Sequence, residues 1–210
     1  MSAARLKNDN TVSGPEIRVF PTLEELSRQA AARFAELARA RVSNNALFTA
    51  ALSGGSTPRR LYELLADAAL GIPWERVHLF QVDERSVPPD HPESNYRMIR
   101  AALLDRAPIP LENFHRLPAE WADPEEAATR YSAELARVLA PKEAESPQLD
   151  LVILGMGADG HTASLFPNSS AIEETRAWVR ANFIPELGAQ RVTLTFPALN
   201  RAREIIFLVV

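Results

Sequence analysis

The chain has 210 residues, no cysteine, and 27 acidic against 23 basic side chains, for a net charge of −4. The lack of cysteine removes disulfides, thiolate metal sites and cysteine nucleophiles together, and an acidic balance without a basic run argues against any nucleic-acid partner. No apolar run of 18 residues could span a bilayer, and the first residues lack a signal-peptide core, so no membrane partner and a soluble, cytoplasmic protein are expected.

Residues 1–15 are polar and close on Gly14 and Pro15, so they read as a flexible N-terminal arm; residues 16–210 then form one domain. IRVF (17–20) has the composition of a short strand. Thr22 followed by Glu25 has capping-box form, and Leu23, Leu26, Ala30, Phe34 and Leu37 recur at helical spacing, predicting a helix over about 23–40. ALFTAAL (46–52) is a buried-type strand that runs into SGGSTP, with Thr57 expected as N-cap, Pro58 at the first helical position and Gly71 past the helix end. VHLFQVD (77–83) is the next strand, followed by a proline-rich loop and a helix carrying Met98, Ile99, Ala102 and Leu103. Asp123, Pro124 and Glu126 open another helix, which Pro141 ends, and LDLVILGM (149–156) reads as a central strand because it is apolar throughout. Strands alternating with helices predict an α/β fold: a doubly wound, mostly parallel sheet with helices on both faces, Rossmann-like and a single domain. The chain stops inside EIIFLVV, a strand-like run that a turn and a covering helix ought to follow, so truncation at the C-terminus is expected.

Three turns carry chemistry. Ser53, Gly54, Gly55, Ser56 and Thr57 combine glycines, hydroxyls and a helix N-terminus, which suit a small sugar phosphate; the Lys of a nucleotide triphosphate loop is missing. Asp83 and Arg85 stand where the third strand should end, Arg85 able to fork onto a phosphate and Asp83 to accept from sugar hydroxyls. Solvated loop charge is the plain alternative for Asp83, Glu84 and Arg85; Asn95 and Tyr96 could bind ligand, and Ser94 and Asn95 could equally cap the helix that follows. GMGADGH (155–161) satisfies a dinucleotide glycine pattern, but Pro167 stops any sustained helix and residue 180 is arginine where an acid is required. The better reading is a glycine nest, with Gly157 and Gly160 letting the backbone approach a substrate oxygen, beside His161 as general base and Asp159 holding its other ring nitrogen. His78, His91 and His115 show no metal-binding spacing, so neither a metal nor a cofactor is expected.

SGGSTP, VDERSVP with SNY, and GMGADGHTASLFP together resemble the family that unites 6-phosphogluconolactonases with glucosamine-6-phosphate isomerases and deaminases, over about residue 17 to the chain end. Deaminases carry a glutamate after the histidine, in a form like FNEP where this chain has SLFP, and tend to show Asp-Glu-Tyr where it has Asp83-Glu84-Arg85; both departures favour the lactonase branch. The resemblance implies a phosphosugar lactone substrate, 6-phospho-D-glucono-1,5-lactone, hydrolysed with His161 as general base, Asp159 in support and the Ser53 to Thr57 turn and Arg85 facing the substrate. The alternatives are a glucosamine-6-phosphate isomerase/deaminase, with Asp83 shuttling a proton, and a non-catalytic sugar-phosphate-binding domain. The family also implies a phosphate-gripping lysine after the last strand, and the two lysines here, Lys7 and Lys142, do not occupy that place.

Overall fold

The computed structural model describes residues 14–139 and 148–210. Most of the expected N-terminal arm, together with Pro141 and both lysines, lies outside them.

A five-stranded sheet of order β4-β2-β1-β5-β8 is built from β1 (Phe48–Leu52), β2 (Val77–Gln81), β4 (Phe114–His115), β5 (Leu151–Gly155) and β8 (Glu204–Leu208), every neighbouring pair parallel. Alternate strand residues point to opposite faces, so each strand serves two cores. Ala50, Leu52, Leu79, Leu151 and Ile153 face α1 (Leu23–Ser43), α2 (Ser56–Leu65) and α3 (Asn95–Ile99). Ala51, Phe80, Val152 and Leu154 face the other side, where α4 (Pro124–Leu139) packs through Ala127, Tyr131 and Leu135. The first core draws α1 in close through Ala30, Ala31 and Ala38; Phe34 meets Phe48 edge-on at 5.2 Å, a burial that contributes about 2–3 kcal/mol.

The predicted mostly parallel sheet covered by helices is thus observed, with one addition. The chain leaves the main sheet at Val82 and runs as β3 (Asp83–Arg85) into a three-stranded antiparallel sheet, β3-β7-β6, with β6 (Val179–Ile184) and β7 (Ala189–Leu194). Val179, Val192 and Leu194 of this small sheet join the α4 core, so that face is covered by sheet as well as helix. The expected 77–83 strand is therefore two strands in two sheets.

Other boundaries moved for local reasons. The hydroxyl of Thr22 accepts from the N–H of Glu25 at 3.2 Å as expected, and Asp123 accepts from the N–H groups of Glu125 and Glu126 at 2.9 and 3.3 Å to start α4. Thr57 is not an N-cap: Gly55 takes that place with φ +99°, a conformation open to glycine, and α2 starts one residue earlier than the expected cap. That helix ends at Leu65, and Gly71 closes a separate short turn, Ala68–Leu70. Residues 17–20 are not a strand; Ile17 and Val19 lie exposed with no ladder partner.

At the amino end of the sheet, the Asp150 carboxylate accepts from the N–H and hydroxyl of Thr49 at 3.0 and 3.1 Å and pairs with Arg41 and Arg203. One buried carboxylate there ties α1, β1, β5 and the approach to β8 together, leaving the carboxyl ends of the strands free for chemistry.

Candidate active site

Strand order reverses between β1 and β5, and open parallel sheets bind ligands in the crevice beyond the carboxyl ends of such strands. A cleft of about 220 Å³ opens there, lined by Ser53 to Pro58 from the β1 turn, Asp83 and Arg85 from β3, Asn95, and Gly155, Met156, Gly157 and His161 to Ala163 from the β5 turn. The structure therefore brings together nine of the eleven residues singled out as site candidates. Asp159 and Gly160 stand outside the wall and act on it indirectly.

The β1 turn is built to receive an anion. Gly55 at the N-cap contributes no side-chain acceptor, so the first N–H groups of α2 stay unspent, and Pro58 has none to spend. Ser53 is 4% exposed, and its hydroxyl has no hydrogen-bond partner among the described residues. Its own carbonyl accepts from the Tyr62 hydroxyl at 2.8 Å, which pins the turn to the helix it starts. A side chain at position 54 has no room, because a Cβ would fall 1.7 Å from Oδ1 of Asn95.

On the β5 turn, Nδ1 of His161 lies 2.5 Å from Asp159 Oδ1, which also accepts from the His161 N–H at 3.2 Å. With the Nδ1 proton given to Asp159, Nε2 holds the basic lone pair. The Asp159 carboxyl is held below the usual carboxylate range, chiefly by the hydrogen bond from His161. The Phe166 ring stacks on the imidazole at 3.8 Å, and a Cβ on Gly157 would collide with its Cε1 and Nδ1 atoms.

The expectation that Gly157 and Gly160 form a donor nest is corrected by their hydrogen bonds. Gly157 N–H donates to the His161 carbonyl at 2.8 Å and Gly160 N–H to the Gly157 carbonyl at 3.0 Å, so both are spent inside the turn. Gly157 supplies space, and Gly160, at φ +85°, supplies the bend. Across the cleft, the β1 turn offers the unspent N–H groups at the start of α2. Ala163, at φ +53°, occupies a region that costs a non-glycine residue about 1–2 kcal/mol, and it turns the next residue, Ser164, inward.

Asp83 is buried and fixed: Oδ2 accepts from the Ser164 hydroxyl at 2.6 Å, and Oδ1 from Asn95 Nδ2 at 3.3 Å. Asn95 is therefore a site residue, while Ser94 takes the capping role by accepting from Arg97 N–H at 3.2 Å. The solvated-charge alternative does not hold for Glu84. At 2% exposure its carboxylate accepts from Gln81, Ser94 and the N–H groups of Arg85, Asn95 and Tyr96, so it holds the cleft's charged loop in place. The sequence carried no local signal for this role of Glu84, nor for Ser164 or Phe166.

At the opposite end of the sheet, His78 and His115, unconnected in the sequence reading, are 2.9 Å apart, and His115 reaches Glu134 at 2.6 Å. Among the described residues no acidic or histidine cluster could hold a metal ion, and no helix is long and apolar enough to cross a membrane.

Comparison with known proteins gives concordant results. The family model described as glucosamine-6-phosphate isomerases/6-phosphogluconolactonase matches residues 21–210. The chain is 48% identical to the 6-phosphogluconolactonase of Synechocystis sp. over 161 residues, covering 77% of this chain and 65% of that protein. It is 46% identical to the 6-phosphogluconolactonase of Nostoc sp. over 165 residues, covering 77% and 66%. Its match thus spans less than two thirds of the length of these two relatives. The solved 6-phosphogluconolactonase of Trypanosoma brucei superimposes with a TM-score of 0.83 at 36% identity, over 93% of this chain and 81% of that one.

Proposed function

The chain belongs to the family of glucosamine-6-phosphate isomerases and 6-phosphogluconolactonases, and from that premise we propose that it hydrolyses 6-phospho-D-glucono-1,5-lactone to 6-phosphogluconate. The observation that carries the reading is the convergence of a phosphate-receptive helix start, Arg85 and an Asp159-oriented imidazole on one cleft. The phosphate lies against the free N–H groups of α2 and the Arg85 guanidinium, a pairing of helix dipole and forked donor that suits a phosphate ester. Asp83, held by Ser164 and Asn95, accepts from sugar hydroxyls.

His161 Nε2 takes a proton from water as the oxygen attacks the lactone carbonyl at C1. The tetrahedral intermediate then expels the ring oxygen, which receives the proton back from the imidazolium. Asp159 keeps the ring in the working tautomer and steadies it while charged. The product carboxylate leaves with the phosphate still the main anchor. Every step uses side chains of this chain, and we propose the cytoplasm as its compartment.

His161→Ala tests this. It lowers kcat by about 10²- to 10⁴-fold with KM little changed, measured as proton release from fresh lactone above the spontaneous background. An unchanged kcat removes His161 from the mechanism. Ammonia release from glucosamine 6-phosphate would place the chain in the isomerase branch instead.

A further inference from the structure

Arg85 on β3 and Arg191 on β7 are direct cross-strand partners in an antiparallel pair. Opposed residues in such a pair keep their Cβ atoms about 4.5–5.5 Å apart, so two like charges share one face, an arrangement that destabilises a sheet.

Neither guanidinium has a carboxylate partner among the described residues. Arg85 donates through Nη1 to the Glu93 carbonyl, Arg191 makes no side-chain hydrogen bond or ion pair there, and the Nε of each is buried without an acceptor. Asp83 and Glu84 give their hydrogen bonds to other groups, Asp83 to Ser164 and Asn95 and Glu84 to its five donors, so with Glu93 they act on Arg191 only as nearby charges. Burial first, and then the charge of Arg85, hold the Arg191 guanidinium below the usual arginine range. Guanidinium donors left without acceptors in a half-buried site are unfavourable unless something accepts from them. Arg85 lines the cleft, so the balancing group can be a ligand.

We propose that Arg191 is a specificity-determining residue: with Arg85 it forms a two-guanidinium seat whose unfilled donors are matched by a dianionic phosphate ester. The proposal rests on the phosphosugar reading above for its substrate and adds to it a residue outside the three turns. Two forked cations side by side fit a tetrahedral dianion better than a lone carboxylate or a hydroxyl, so the seat selects the phosphorylated sugar over its unphosphorylated counterpart.

The test compares the full chain with Arg191→Met and Arg191→Lys, using 6-phosphogluconate and gluconate as calorimetric probes and thermal unfolding without ligand. Losing one charge-assisted contact weakens 6-phosphogluconate binding about 10- to 100-fold in Arg191→Met, with partial rescue in Arg191→Lys. Selectivity for phosphorylated over plain gluconolactone in kcat/KM falls in parallel. Arg191→Met without ligand melts at or above the wild-type temperature, because a like-charge contact has been relieved. A purely structural arginine would instead give a lower melting temperature and unaltered phosphate selectivity, which overturns the proposal. If the wild type binds 6-phosphogluconate in an Arg191-dependent way but hydrolyses no lactone, the lactonase reading falls and the anion seat stands. Hydrolysis with phosphate affinity indifferent to Arg191 does the reverse, and a wild type that binds no phosphorylated probe removes the seat.

Discussion

Replacing Gly157 with alanine moves the imidazole without touching it chemically. The added Cβ would lie 2.3 Å from both Cε1 and Nδ1 of His161 and 2.8 Å from Asp159 Oδ1. Carbon contacts settle near 3.5 Å, so the ring must retreat by about 1 Å. Phe166, stacked at 3.8 Å, limits how far the ring can move, so the ring slides or tilts and its bond to Asp159 is strained. A displacement of about 1 Å in a reacting group costs roughly 10²-fold in rate. Gly157 does not have a positive φ, so alanine suits its backbone, and stability should stay within about 1 kcal/mol of wild type. Initial rates of proton release give kcat and KM, and thermal unfolding gives the stability. The expected pattern is a kcat lower by about two orders of magnitude, a KM near wild type and an intact fold. A kcat within a factor of about 3 of wild type, with the fold intact, would refute the claim that the packed imidazole position carries the reaction.

Glu84→Gln places an NH₂ among N–H donors and removes a carboxylate that accepts five hydrogen bonds, so we expect a loss of about 3 kcal/mol and a raised KM as the Arg85 loop loosens. Denaturant unfolding with steady-state kinetics checks it, and wild-type stability would return Glu84 to the role of surface charge. His78 and His115 are both held below the usual histidine range, by burial first, while Glu134 beside them is held at about 2, mainly by Arg137, with Arg76 also near His78. The unfolded chain takes up protons near pH 6.5 that the folded chain refuses until lower pH, so stability falls as pH drops below about 6.5; the Glu134 contribution is lost only below about 4.5. His78→Gln should flatten the decline in melting temperature between about pH 7.5 and 5.5, and identical slopes for the two proteins would refute this.

The elements with the strongest local signals were legible in sequence: the Thr22 cap, the Asp123 start of α4 and the apolar β1 and β5. So were the three turns, because strand-end glycines, hydroxyls and a histidine beside an aspartate depend on nearby residues. What was hidden depends on distant ones. The small antiparallel sheet exists because β3 finds β7 over a hundred positions later, and nothing in VDER announces a change of sheet. Ser164 became a site residue through Asp83, and Glu84 became structural through a helix start ten residues on. The glycine nest failed for a related reason: position predicted that Gly157 and Gly160 would be present, but the direction of an N–H is set by which carbonyl the turn brings round.

The Thr49–Asp150 lock and the β1–β5 pairing join residues 101 positions apart. At a ribosomal rate of about 5–20 residues per second, β1 waits roughly 5–20 seconds for the strand beside it. During that interval the turn after β1 has no opposite wall, and its strand exposes an unpaired apolar edge. The cleft is therefore a late product of biosynthesis, absent from any nascent chain that has not reached β5. The same junction of early and late segments that gives the site its two walls makes the emerging chain dependent on protection until the sheet closes.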